Sequence, residues 1–166
     1  EPGLYEIRLY DGEDFTGVWR VDREALLAAL GGLGLPMDDM EEMYRRMVFN
    51  IMARNQDDHV KNIAFLMDKT GQWSLAPAFD MTYSFQPAGK WTSTHQMTMN
   101  GKRDAFVRDD FRACAESASM QRSRAEAIVE EVRSVVARWR DYAEEANVLP
   151  EWRNKIANTH RVKDFE

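Results

Sequence analysis

Seven apolar side chains recur at helical spacing between residues 38 and 55: Met40, Met43, Tyr44, Met47, Val48, Ile51 and Met52. Side chains three and four apart share one face of an α-helix, so the pattern predicts a single amphipathic helix. Asp38, with Glu41 three residues on, has the form of a capping box for its start. Burying each side chain of the stripe contributes about 1.5–3 kcal/mol before entropy is subtracted. The chain must therefore bring a second apolar surface against this stripe. The helix in turn dictates where residue 55 emerges, and a rigid element of that kind can aim a loop.

What emerges is RNQDDHVKNIAFLMDKTGQWSLAPAFD, residues 54–80. Residues 63–67 and 73–75 read as short strands, and 68–72, with Gly71, as the connection of a hairpin. Pro77 then breaks regular structure and leaves Phe79 and Asp80 in an irregular segment. Asp57 and Asn62, with four residues between them, repeat the spacing of the protein-kinase catalytic loop. In that scheme the Asp receives the proton of the attacking hydroxyl, and the Asn and a later Asp hold magnesium against the nucleotide. Asp57, Asn62 and Asp80 supply that set of oxygen donors, which suits a hard cation.

Each residue has a plainer reading. Aspartates in loops also bend turns or cap helices. The helix before Asp57, the hairpin after it and the Asp at the far end favour chemistry. Asp58 is one step off the spacing to Asn62 and reads as a solvated or orienting neighbour. His59 either meets the transferring phosphate, orients Asp57, or is a structural histidine. Lys61 either reaches phosphate or is solvated. His95 and His160 have no metal-ligand spacing and receive no role. No G-x-S-x-G elbow, G-x-G-x-x-G or G-x-x-x-x-G-K-[ST] occurs, and the earliest lysine is Lys61 itself. Half of an ATP site is therefore expected to lie outside this chain.

The remaining segments are read more briefly. Residues 1–37 are a leading segment: Tyr5, Ile7 and Leu9 alternate as in a strand, Asp11-Gly12 is a turn, and residues 22–30 form a helix capped by Asp22 and ended by Gly31-Gly32. Residues 81–90 read as loop, and 96–99 with Asn100-Gly101 as a second hairpin. Helices are predicted over 109–119 (inner side Phe111, Cys114, Ala115), over 123–146 behind a Ser123/Glu126 capping box, and over 150–160 with Pro150 in the first turn. The stripe of the second is Ile128, Val132, Val135, Val136, Trp139, Tyr142 and Ala143.

Length and charge narrow the function classes. A chain of 166 residues is one domain. Glu1 is not an initiator methionine, so a piece of a longer protein is expected. The 22 Lys+Arg against 28 Asp+Glu give −6, which disfavours unspecific nucleic-acid binding. Cys114 alone can form neither a disulfide nor a thiolate zinc site and reads as a core thiol. No apolar run approaches a membrane span, and a cytoplasmic location is expected.

Three stretches together, RRMVFNIMARNQDDHVKNIAFL, WSLAPAFDMTYSF and HQMTMNGKRDAF, resemble the C-terminal kinase core of HipA-like serine/threonine kinases, the toxin halves of bacterial toxin–antitoxin pairs. The resemblance covers roughly residue 38 to the end. It implies a mainly α fold with small β-hairpins, the C-terminal lobe of a protein-kinase-like (HipA or phosphoinositide-kinase-like) structure. It also implies ATP and Mg2+ as cofactors, Asp57 as catalytic base, Asn62 and Asp80 as magnesium ligands, and His59, Lys61, Asn62, Phe79 and Asp80 beside the nucleotide. A protein substrate, in the family's best-known type an aminoacyl-tRNA synthetase, and a small HipB-like DNA-binding antitoxin are the implied partners. The N-terminal lobe of such a kinase has no counterpart in these residues. A small-molecule or lipid phosphotransferase lobe and a non-catalytic helical interaction module are the competing readings.

Overall fold

The computed structural model describes Leu4–Tyr5 and residues 22–165. The remainder of the strand expected around Tyr5, Ile7 and Leu9, and the Asp11-Gly12 turn, lie outside the described residues. The elements are β1 (Leu4–Tyr5), α1 (Arg23–Gly32), α2 (Met37–Met52), a 3-10 turn (Val60–Asn62), β2 (Phe65–Met67) and β3 (Trp73–Leu75). These are followed by α3 (Arg108–Ser117), α4 (Arg122–Ala137), α5 (Trp139–Glu145), α6 (Pro150–Ala157) and a second 3-10 turn (Lys163–Phe165).

α2 is the keel. All seven residues of its predicted stripe are buried, and its most extensive partner is α4, followed by α1. α4 answers with Ile128, Val129, Val132 and Val136, while Phe111, Cys114 and Ala115 of α3 close the other side. Burial raises the Cys114 thiol well above its ordinary value, which keeps it an inert core group. Two ion pairs flank the α2–α4 seam, Arg124 to Glu41 at 2.7 Å and Arg45 to Glu131 at 2.5 Å. The last described residues fold back onto this body. Arg161 N–H donates to Met52 O at 2.9 Å, and the fully buried Phe165 ring meets Phe111 edge-on at 4.9 Å.

The three strands form one small antiparallel sheet in the order β1-β2-β3. Phe65 pairs with Leu75 and Met67 with Trp73, the hairpin expected from the sequence. Its connection is built by Asp68, whose Oδ1 accepts from Thr70 N–H (2.8 Å) and Gln72 N–H (3.0 Å), with Gly71 at φ 84°.

Several local expectations are corrected. Neither capping box closes: α2 starts after Pro36 and α4 after Gln121, with no side-chain cap on either. Glu41 and Glu126 are spent on arginines instead. Asp22 accepts from the Thr98 hydroxyl rather than capping α1. Gly31 and Gly32 stay helical, and the chain turns at Gly34, φ 71°. The long helix expected to reach residue 146 breaks at Arg138 into α4 and α5, which leaves Val135 and Tyr142 exposed. The last α-helix ends at Ala157. Asn100 (φ 50°) and Gly101 (φ 70°) do make a tight turn, but pairing beyond it is a single bridge, Met99 to Lys102.

Candidate functional site

α2 stops where Arg54 enters the left-handed region at φ 60°. The chain then doubles back so that Asn55 N–H donates to Asn50 O at 2.9 Å and its amide to Asn50 Oδ1 at 3.1 Å. Arg54 itself stacks over Phe85 and donates through Nε to Thr159 O at 2.8 Å. The expected loop thus leaves the helix at a fixed angle.

Residues 55–59 form no regular element and have no ladder partner, so side chains are needed to satisfy their backbone groups. Ser84 does this. Its Oγ accepts from Gln56 N–H (2.8 Å) and Asp57 N–H (2.9 Å), and donates to Asn55 Oδ1 at 3.2 Å. The Asn62 side chain grips the loop from the opposite end. Its Nδ2 donates to Asp57 O at 3.2 Å and to Asp80 Oδ2 at 2.9 Å. One amide nitrogen therefore ties positions 57, 62 and 80 together. Asp80 is held in turn through its carbonyl, which accepts from Asn55 Nδ2 at 3.3 Å. Its backbone sits at φ 53°, a conformation L residues reach at some cost.

His59, Asn62, Phe79 and Asp80 line one narrow cleft with Asn50 and Asn55. Asp57 is not among the lining residues; its side chain is 46% exposed beside them, with His59 Nε2 4.0 Å from Asp57 Oδ1. Phe79 is exposed at 44%. Lys61 is on the same turn but points to solvent and does not line the cleft.

The donor set suits magnesium bound together with a nucleotide. Both hydrogen bonds of Asn62 use its nitrogen, which leaves Oδ1 for a cation beside the Asp80 carboxylate. Among the described residues no three His, Cys, Asp or Glu side chains gather as a self-sufficient metal cage. Magnesium is commonly held by one or two protein oxygens plus phosphates, and this arrangement has that composition.

The same cleft is walled by Arg23 and Asp58, members of a buried cluster, so Asp58 is not the solvated neighbour that its place beside Asp57 allowed. Asp58 is 3% exposed, and its carboxylate receives Arg23 Nη2, His95 Nδ1 at 2.9 Å and the Gln96 N–H at 2.8 Å. Burial works against the charge on Asp58, but Arg23 and His95 outweigh it and hold the carboxyl down to about 2. An ionised carboxylate cannot donate, so His95 Nδ1 carries the proton, and its 3.3 Å approach to Arg23 Nη2 is proximity rather than a bond. His95 Nε2 is buried without a partner. Burial lowers the His95 pKa to about 4 despite Asp58, so the ring is neutral near neutrality. Nothing in the spacing of positions 23, 58 and 95 announces this contact. Ser84 and Asn55 were equally silent, being polar residues in segments without periodicity.

A family model of the HipA-like C-terminal domain matches residues 9–139. No curated protein matches the chain. Among solved structures, the fold is similar to HipA of Shewanella oneidensis MR-1 in its complex with HipB and operator DNA. The TM-score is 0.69 at 17% identity, over 87% of this chain and 36% of that one. The chain thus spans about a third of that relative, and at such identity the likeness speaks for fold alone. The family match, running through α1, α2, the loop, the hairpin and α4, covers well over half the residues: this chain belongs to the family of HipA-like C-terminal domains.

Proposed function

We propose that this chain is the catalytic lobe of a HipA-like kinase, transferring the terminal phosphoryl group of ATP to a serine or threonine hydroxyl of a protein. The observation that carries the reading is the Asn62 amide bridging the Asp57 carbonyl and the Asp80 carboxylate. It draws the Asp-x-x-x-x-Asn loop and the distant Asp onto one cleft.

Asp57, exposed beside the cleft, takes up the proton as the substrate oxygen attacks phosphorus and the bond to the leaving phosphate oxygen breaks. Asn62 Oδ1 and the Asp80 carboxylate would hold magnesium, which supplies charge neutralisation to the phosphates when bound. His59, within reach of both Asp57 and the cleft, steadies the transferring phosphate. Phe79 offers an apolar ring beside the nucleotide, and Lys61 serves as a solvent-side phosphate contact. The residues that would cover the nucleotide belong to an N-terminal lobe of the complete protein, and a HipB-like DNA-binding antitoxin is the partner this reading implies.

In the complete protein, Asp57→Ala should cut autophosphorylation by about 10²–10⁴-fold with the thermal midpoint unchanged. Wild-type turnover by that variant would refute the role. Asp80→Asn should weaken magnesium-dependent nucleotide binding in calorimetric titration more than it lowers stability. Equal nucleotide affinity in both proteins would remove Asp80 from the metal site.

A further inference from the structure

Two aspartates stand side by side in the loop, and the structure treats them oppositely. The Asp57 side chain is 46% exposed, whereas that of Asp58 is 1% exposed. The two side chains leave adjoining Cα atoms of one loop, so whatever holds residue 58 inward also constrains the direction residue 57 can take. Asp58 is drawn inward by three donors from two distant parts of the chain. Arg23 opens α1, and its other guanidinium nitrogen, Nη1, donates to Met97 O at 3.0 Å. His95 and the Gln96 N–H belong to the segment before the tight turn at residues 100–101. Arg23 N–H further donates to Thr98 O at 2.9 Å, which ties the start of α1 to the 95–98 segment. Phe106 seals it, with its ring 5.5 Å from the His95 ring and 5.6 Å beneath the Arg23 guanidinium.

We infer that Asp58, Arg23 and His95 are positioning residues: their buried contact sets the outward aim of Asp57 across the cleft. This rests on the proposed phosphotransfer only for its kinetic consequence; the anchoring itself is independent of it. Arg23 and Asp58 also line the cleft, but their polar contacts run to one another, to His95 and to the backbone of residues 96–98 rather than to the Asp57 carboxylate. The three act through the backbone at residue 58, while Ser84 and Asn62 fix the same peptide from the other side. A displaced carboxylate near the reacting atoms can cost about 10²-fold in turnover without altering substrate binding.

A buried ion pair broken on one side destabilises a protein, whereas removal of both charges is often neutral. That contrast separates aim from stability. In the complete protein, Asp58→Ala should lower kcat by about 10²-fold with KM for ATP little changed. Asp58→Asn, which keeps only one of the two acceptor oxygens and loses the charge that pairs with Arg23, should recover part of it. Arg23→Met combined with Asp58→Ala should regain thermal stability relative to Asp58→Ala alone, yet stay as slow. Amide hydrogen exchange at residues 57–62 should accelerate in both Ala-containing variants. Return of wild-type kcat in the stability-restored double variant would overturn the inference, and so would wild-type protection of residues 57–62 in Asp58→Ala. If the wild-type protein transfers no phosphate at all, the proposed reaction falls, and exchange at 57–62 still decides the anchor.

Discussion

The α2–α4 block and the segment from residue 76 to residue 107 are held by different forces. In the first, Met43, Tyr44, Val48, Ile51, Ile128 and Val132 interdigitate, and their apolar area removed from water supplies the stabilisation. The second has no α-helix or multi-residue strand. It stays in place because Ser84, His95, Gln96 and Asn100 each bond backbone or charged groups far away in sequence, and because Asp110 of α3 ties down its end. Asp110 shows the economy of this. It reaches back to the Val107 N–H at 2.8 Å to start α3, and also accepts from Lys102 and Asn100. The apolar block is tolerant of direction, since the hydrophobic effect has none, whereas the polar segment is sensitive to ångström shifts. The cleft is built where the two meet, with α2 giving the rigid platform and the polar segment the aim.

The sharpest way to break that contrast is through the apolar block. Ile51 is fully buried in α2, and Ile51→Ala should cost about 2–5 kcal/mol through lost transfer energy and a residual cavity. Chemical denaturation would register it as a lower midpoint at an unchanged slope, and the folded fraction should keep its nucleotide affinity. A loss of affinity in the folded fraction would mean that α2 is not the independent platform described above.

Ser84→Ala should show the opposite balance. It orphans two partly buried N–H groups at Gln56 and Asp57, worth about 1–3 kcal/mol in stability. Its effect on turnover in the complete protein should exceed its effect on the thermal midpoint, because it frees the peptide that carries Asp57. A purely thermal effect would place Ser84 with the fold rather than with the site.

The same division explains what was legible beforehand. The α2 stripe, the 68–72 hairpin and the helix bearing Phe111 and Cys114 follow from periodicity, which reports burial. Asp57, Asn62 and Asp80 could be put forward from spacing and order along the chain, and the Asn62 amide does bridge the Asp57 carbonyl and the Asp80 carboxylate. Arg23, Asp58 and His95 could not, since their contacts span 35 to 74 positions and no period links them. Capping patterns misled at Asp38/Glu41 and Ser123/Glu126 for a related reason. A glutamate near a helix start serves an arginine, on a neighbouring helix or on its own, as readily as its own backbone, and here Arg124, Arg112 and Arg122 won. The break at Arg138 was invisible because its flanking residues keep helical spacing on both sides.

Acid is the mildest perturbation, and it too discriminates between the two regions. His95 and His160 are each lowered to about 4 in the folded protein, in both cases by burial first. For His160 the neighbouring Arg54 adds to the effect. The unfolded chain takes up protons on these rings as pH falls through about 6.5. The folded protein does so only near pH 4, so acid favours the unfolded state between those values. Stability is therefore complete above about pH 6.5 and declines toward pH 4. Asp58, lowered to about 2, adds its own loss only below the ordinary carboxylate range. Of the two, His95 lies behind the loop, whereas His160 sits against Trp139 and Tyr83 and bonds the backbone of Val136 in α4. Hydrogen exchange at pH 5.5 should thus loosen residues 56–62 and 95–99 before it touches the centre of α2. Uniform loosening across all three would show that the polar segment and the apolar block open as one unit, and the contrast between them would be lost.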